Sequence, residues 1–208
     1  MIISKREVLD PVLIGEMLKL MDTVYVAMND DDGTPYIVPL NFGFEITDTQ
    51  LIVYIHSPRP GKKNELITKD PRVCLAFSVY NDFPDKKYRG TRHDFRSVIA
   101  KGTAKLVRRS EDPETWVRAY EHMYTDNHRE IKPLSDWKVI PDIYMGVIAC
   151  DLSDVTGKSE FPLRKPEDVP FINVYEMPDD DTPLDYSGLI EKNNRIREER
   201  SRKKTEQE

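Results

Sequence analysis

Residues 35–57 read "PYIVPLNFGFEITDTQLIVYIHS". Two runs rich in β-branched and aromatic residues are separated only by the turn at Asp48-Thr49. That pattern predicts a tight hairpin with a long first arm. Proline cannot donate to a strand ladder, so Pro39 predicts an edge strand or a bulge where the backbone turns away. Upstream, "TVYVAM" at 23–28 predicts another strand, and "NDDDGT" at 29–34 a turn in which Gly33 takes positive φ. The first three strands thus follow one another without crossover helices. Consecutive parallel strands need such crossovers, so the sheet is expected to be antiparallel and not doubly wound.

Working outward, "LDPVLIGEMLKLMDT" at 9–23 predicts a helix capped by Asp10 with Pro11 in its first turn. Val12, Leu13, Met17, Leu20 and Met21 form its expected inner stripe. "RPGKKNELITKDP" at 59–71 predicts a loop and short helix buried through Leu66 and Ile67 and stopped at Asp70-Pro71. "RVCLAFSVYNDF" at 72–83 and "FRSVIAKGTAKLVRR" at 95–109 predict strands, the second with a bulge at Gly102. The stretch between them, 84–94, reads as a basic loop carrying Lys86, Lys87, Arg89 and Arg92. "SEDPETWVRAYEHMY" at 110–124 predicts a helix capped by Ser110, with Trp116, Ala119, Tyr120 and Met123 inward. A loop at 125–142 and a last core strand, "IYMGVIACDLSDVTGK" at 143–158, complete the order. Six strands with short helices predict a mainly β protein, a closed or half-open antiparallel barrel.

After Lys158 the composition changes. Residues 159–188 hold five prolines and predict an extended arm, and 189–208 is a charged stretch expected as a solvated helix or as disorder. The expected division is therefore 1–158 as one domain and 159–208 as arm and tail.

Composition excludes some classes. The net charge of −6 over 208 residues argues against general nucleic-acid affinity. No apolar run approaches a membrane span. The start "MIISKREVLD" carries no apolar leader, which predicts a cytoplasmic protein. Cys74 and Cys150 each sit in an apolar run and read as reduced core thiols. The two cysteines and four histidines show no zinc spacing, and Asp30-Asp31-Asp32 lacks a calcium-loop pattern, so no metal is expected.

Three stretches carry candidate chemistry. "HSPRPGKKNEL" at 56–66 places a His, a hydroxyl, a Gly and two Lys between a strand and a helix N-terminus. A phosphate wants exposed backbone N–H groups, a hydroxyl and a cation, and such a segment supplies them. Gly61 is expected to let the backbone approach closely. "FRSVIAKG" sets Arg96 beside Ser97, and because neighbouring strand residues face opposite ways, only one faces any given site. "PYIVPLNF" ends near Asn41, whose amide offers donor and acceptor to a heteroaromatic edge. Taken alone, the first reads more readily as a surface loop and the second as an exposed Arg beside a small inward Ser, while the third reads equally as a strand with a bulge.

Together with "DPRVCLAF" at 70–77 and "DVTGK" at 154–158, in this order and spacing over about residues 5–158, these stretches resemble the pyridoxamine phosphate oxidase-like FMN-binding split-barrel superfamily, and within it the 5-nitroimidazole-resistance, nitroimidazole reductase-like branch. The resemblance implies a six-stranded split β-barrel that binds FMN at a homodimer interface. It places Pro39, Leu40 and Asn41 along the flavin ring and His56, Ser57 and Lys63 near the ribityl phosphate, with Arg96 and Ser97 completing that end; for His56 a place nearer the ring is the alternative. The family spacing of Gly, a variable residue, then Lys selects Lys63 over Lys62, which is expected to be solvated. The implied activity is FMN-dependent reduction of a small oxidised acceptor, such as a nitroaromatic, with a nicotinamide (NADH or NADPH) or another reductant as donor. No side chain is obliged to act as acid or base; His56 and Tyr36 are the candidates for proton supply. The alternatives are a non-catalytic flavin binder for storage, redox sensing or partner docking, and a haem or deazaflavin relative on the same barrel. For haem, His93, His122 and His128 are available as axial ligands. The basic 84–94 loop and the extension after Lys158 depart from the family pattern.

Overall fold

The computed structural model describes residues 6–57, 61–85, 90–125, 143–160 and 187–206. In chain order the elements are β1 (Glu7–Val8), α1 (Pro11–Leu18), β2 (Val24–Asn29), β3 (Pro35–Leu40), β4 (Phe42–Ile46), β5 (Gln50–Ser57), α2 (Lys62–Lys69), β6 (Arg72–Asp85), β7 (Gly90–Val107), α3 (Pro113–Thr125), β8 (Tyr144–Asp151), β9 (Val155–Ser159) and α4 (Ser187–Thr205). The chain divides into two compact units.

One unit comprises Asp22–Phe77 and Ile99–Val155. Its strands pair in the order β3-β2-β6-β7-β8-β5-β4. The two ends of this path, β3 and β4, are separated in sequence by Asn41 alone. Laid flat, seven strands would put the end strands roughly 29 Å apart, whereas one intervening residue spans at most about 7.6 Å. The sheet must therefore roll up until its ends meet, with the split between β3 and β4. This is the mainly antiparallel split barrel that the strand order predicts.

Strand alternation fills the barrel. Val24, Val26 and Met28 of β2, Val53 and Ile55 of β5, Leu75 and Phe77 of β6, and Ile148 and Cys150 of β8 are all buried. Strand β5 is buried on its other face too, because α3 covers Tyr54 in a cluster with Val107, Trp116, Ala119, Tyr120 and Met145. The Trp116 indole Nε1 donates to the Ile143 carbonyl at 2.9 Å. Gly43 permits this approach: a Cβ there would sit 2.5 Å from the His122 carbonyl carbon and 2.6 Å from the Met123 nitrogen.

The other unit comprises Met1–Met21, Ser78–Val98 and Thr156–Glu208. Strand β1 pairs antiparallel with β9, Glu7 opposite Lys158 and Val8 opposite Gly157. Asp10 caps α1, accepting from Val12 N at 3.2 Å, and Pro11 opens the helix. Helix α4 docks on β1 through Asn193, 1% exposed, whose Nδ2 donates to Glu7 O at 2.8 Å and whose Oδ1 accepts from Leu9 N at 3.2 Å. Lys192 pairs with Asp10 at 2.5 Å, and Arg197 pairs with Glu7.

Several local expectations are revised. The expected strand over 35–46 is broken at Asn41 and the last one by a 3-10 turn at Leu152–Asp154; with β1 this makes nine strands among the described residues in place of six. Val12 is 70% exposed, because the eight-residue α1 buries the arc of Ile14, Gly15, Met17 and Leu18 instead. The α3 cap is Asp112, which accepts from Thr115 N at 3.1 Å, not Ser110. Strand β6 runs on through Asp85 and β7 starts at Gly90, so most of the expected 84–94 loop is strand; residues 86–89 lie outside those described. At Gly102 the glycine is needed for close approach: a Cβ would lie 2.4 Å from the Ala149 carbonyl oxygen. The charged tail forms α4 and is anchored, while residues 161–186 of the arm lie outside those described.

Candidate functional site

In the barrel unit the end of β5 and the start of α2 build a small polar site. Leu66 and Ile67 bury the second turn of α2. Asn64 is the buried residue of its first turn and accepts a hydrogen bond from the Ser57 hydroxyl, itself 1% exposed. Next to this pair, Lys63 Nζ donates to the His56 carbonyl at 3.0 Å. Successive residues of β5 thus hold successive residues of α2.

The two lysines of the first turn are sorted by their partners. Lys62 forms an ion pair with Asp30 and lies 4.8 Å from the Tyr36 ring centre, so it is engaged by the β2–β3 hairpin and not simply solvated. The same hairpin ties the far end of α2 through Asp31–Lys69, and Asn29 Nδ2 donates to Asp70 at 2.9 Å. Gly33, at φ +82°, and the Thr34 bonds to Asp32 make the turn that presents these acids. Lys63 has no carboxylate partner among the described residues. Burial lowers its ammonium pKa to about 8. Burial first, and then the Lys63 charge, also lower the pKa of the His56 imidazole.

Gly61 caps α2 without a side-chain acceptor. The amides of Asn64 and Glu65 turn to the Gly61 carbonyl at 2.8 and 3.1 Å. The amides of Lys62 and Lys63 have no acceptor among the described residues. A Cβ at Gly61 would meet nothing within 4 Å among the described residues.

The remaining candidates are spread more widely. Tyr36 joins the site through Lys62. Pro39 is exposed and Leu40 half-buried on the edge strand β3. Asn41 donates through Nδ2 to the Asp22 carbonyl at 3.2 Å, which orients its amide. Arg96 and Ser97 belong to the other unit, where Arg96 is buried on the same strand face as Val98 and Ser97 lies on the opposite face.

Two features escaped the sequence reading. Asn64 shares a helix face with Ile67, and a polar residue on an apolar face was the available signal. The second is a cluster under α3: the Tyr54 hydroxyl donates to Glu45 Oε1 at 2.5 Å, Arg118 Nη2 to Glu45 Oε2 at 2.5 Å, and the His122 ring stacks on Tyr54. Burial alone would raise the Glu45 pKa, but the bonds from Arg118 and Tyr54 outweigh it and the net shift is downward. Burial, and then the bond to Glu45, push Tyr54 well above its ordinary value.

The family that matches residues 14–159 is pyridoxamine 5′-phosphate oxidase. The chain belongs to the pyridoxamine 5′-phosphate oxidase family. Among solved structures it is similar to a candidate 5-nitroimidazole antibiotic resistance protein from Bacteroides thetaiotaomicron VPI-5482, with 23% identity, 74% of this chain and 86% of that chain covered, and a TM-score of 0.60. It is similar to the FAD and heme binding protein from Mycobacterium smegmatis, with 15% identity, 74% of each chain covered and a TM-score of 0.50. The flavocytochrome from Azotobacter vinelandii is 17% identical, with 86% of this chain and 85% of that chain covered and a TM-score of 0.47. At these identities the likeness is one of fold. No curated protein matches the chain. The pyridoxamine 5′-phosphate oxidase match runs from residue 14 to 159, so β1 before it and α4 after it lie outside.

Among the described residues of this family member's barrel unit, other polar features lie apart from that segment. A cavity of about 540 Å³ is lined by Asn29, Arg72, Cys74, Lys101, Thr103 and Asp154 among others, and shares no residue with the His56–Lys63 segment. Its Arg72 is held by Asp70 at 2.7 and 2.8 Å. Cys74 and Cys150 are both free thiols, the first half-buried, and burial raises the second to about 12. His122 is packed on Tyr54; the side chain of His93 and all of His128 lie outside the described residues. Among the described residues no group of His, Cys, Asp and Glu gathers as a metal site, and no helix is long and apolar enough to cross a membrane.

Proposed function

We propose that this chain binds FMN and uses it as an FMN-dependent oxidoreductase on a small oxidised acceptor, with nitroaromatics such as nitroimidazoles as the class to test. The family is one of flavin-binding proteins, which supports a flavin here. The observation that carries the finer reading is Lys63: among the described residues it is a half-buried ammonium without a carboxylate, beside two first-turn amides without an acceptor. Such a donor set suits a phosphate monoester, which is dianionic above about pH 6 and needs both charge and N–H donors.

In this reading Lys63 and the amides of α2 take the phosphate. Asn41, oriented by Asp22, offers Oδ1 as an acceptor to the ring edge, with Pro39 and Leu40 beside it. Burial and the Lys63 charge lower the His56 pKa, and His56 is the candidate to supply a proton to the acceptor. Lys62 is withdrawn by Asp30. FMN when bound supplies hydride and electron transfer; the protein supplies binding, orientation and electrostatics. A nicotinamide donor and a homodimer with the flavin at its interface complete the proposal.

Titration with FMN, riboflavin and FAD tests it. FMN is expected to bind at least about tenfold more tightly than riboflavin, since riboflavin lacks the phosphate. Failure to bind FMN overturns the reading. Anaerobic mixing with NADH or NADPH then separates enzyme from passive binder by bleaching of the flavin.

A further inference from the structure

We propose that Ser57 and Asn64 form a positioning pair for Lys63, fixing the first turn of α2 on the end of β5 while the Lys63 ammonium passes from the His56 carbonyl to the ligand phosphate. The inference rests on the phosphate reading above.

Among the described residues, the Ser57–Asn64 bond is the buried side-chain tie between the first turn of α2 and β5. The helix cap is Gly61, without a side-chain bond. Leu66 and Ile67 anchor only the following turn, and Lys62 reaches outward to the hairpin. Asn64 is buried, and its carbonyl accepts from the Thr68 hydroxyl at 2.8 Å, so it ties the first turn both to β5 and to the rest of the helix. A bond buried this deeply is shielded from competition by water.

Lys63 differs from its neighbour in what it must give up. Leaving the His56 carbonyl costs one hydrogen bond to a neutral acceptor, which the phosphate replaces with a charged one. Lys62 would have to break an ion pair and leave an aromatic face. The Lys63 stem is long and rotatable, so the ammonium can move while its Cα stays fixed. The Ser57 hydroxyl is committed to Asn64, so its part is to hold the helix and not to touch the ligand.

The test compares wild type, Ser57→Thr, which keeps the hydroxyl, and the double variant Ser57→Ala/Asn64→Leu, which removes both groups of the bond. The pH profile of Lys63 acylation by acetic anhydride, read by mass spectrometry on ligand-free protein, reports the placement of the amine. Wild type and Ser57→Thr are expected to show a midpoint near 8. The double variant, folded by circular dichroism, is expected to shift upward by about one pH unit as Lys63 gains solvent. It is also expected to lose about tenfold in FMN affinity with riboflavin affinity unchanged. An unmoved Lys63 profile in the folded double variant overturns the positioning pair alone. A wild type that does not distinguish FMN from riboflavin overturns the phosphate reading and the transfer with it.

Discussion

Replacing Lys63 by Met should move stability and affinity in opposite directions. In the folded ligand-free protein the ammonium is lowered to about 8 by burial, against about 10.4 in an unfolded chain. Between these values the unfolded state binds more protons, so stability rises with pH through that window, and below pH 8 the full penalty of the buried charge is present. The full shift would correspond to about 3 kcal/mol. Lys63 is only partly buried, and solvent screening reduces this to the order of 1 kcal/mol. Lys63→Met removes the penalty, so it should raise the melting temperature at pH 7 by roughly 2–4 °C, with the two proteins converging above about pH 10. Affinity should go the other way. A charge-assisted bond to the phosphate contributes about 1.5–3 kcal/mol, so FMN binding at pH 7 should fall roughly ten- to a hundredfold. In wild type the protonated fraction falls about tenfold between pH 7 and pH 9, and FMN affinity should follow it; in Lys63→Met that slope should vanish. Differential scanning fluorimetry and flavin-quenching titrations across pH measure both. A variant less stable than wild type, or a wild-type affinity flat from pH 7 to 9, would refute the reasoning.

Other expectations follow from single contacts. Gly43→Ala forces a Cβ into the α3 backbone, which cannot yield as a side chain can, and should cost about 1–3 kcal/mol in urea unfolding; an unchanged midpoint would mean that α3 does not sit on β4 as described. Asn193→Ala leaves the Glu7 carbonyl and Leu9 amide without their α4 partner, costing about 1–3 kcal/mol. Hydrogen exchange should rise first at residues 7–10 and along α4, and uniform protection there would contradict the docking. Asp30→Asn frees Lys62, so FMN affinity should increase a few-fold and fall more steeply with salt; no change in the salt slope would place Lys62 out of reach of the phosphate.

Much of the barrel was legible because its signals are local. Alternation in "QLIVYIHS" and "RVCLAF", the turn at Gly33 and the Asp10-Pro11 helix start each depend on residues a few positions apart. The errors arose where a neighbouring residue competes for the same role or where distant chain decides. Asp112 displaced Ser110 as the α3 cap, and α4 is held by Asn193, Lys192 and Arg197 on residues 7–10, contacts more than 180 positions apart that no window reveals.

The Lys62-Lys63 pair marks the boundary between the two sources. By itself the sequence determined that a strand, a glycine turn and a short helix carry two adjacent lysines, and that a family spacing favours the second. Nothing in the helix distinguishes the two cations chemically. Only the tertiary structure sorted them, by folding the β2–β3 hairpin so that Asp30 meets Lys62 while Lys63 is left half-buried on a neutral carbonyl. Burial and opposite charge set how available a lysine is, and both come from chain that lies far away in sequence.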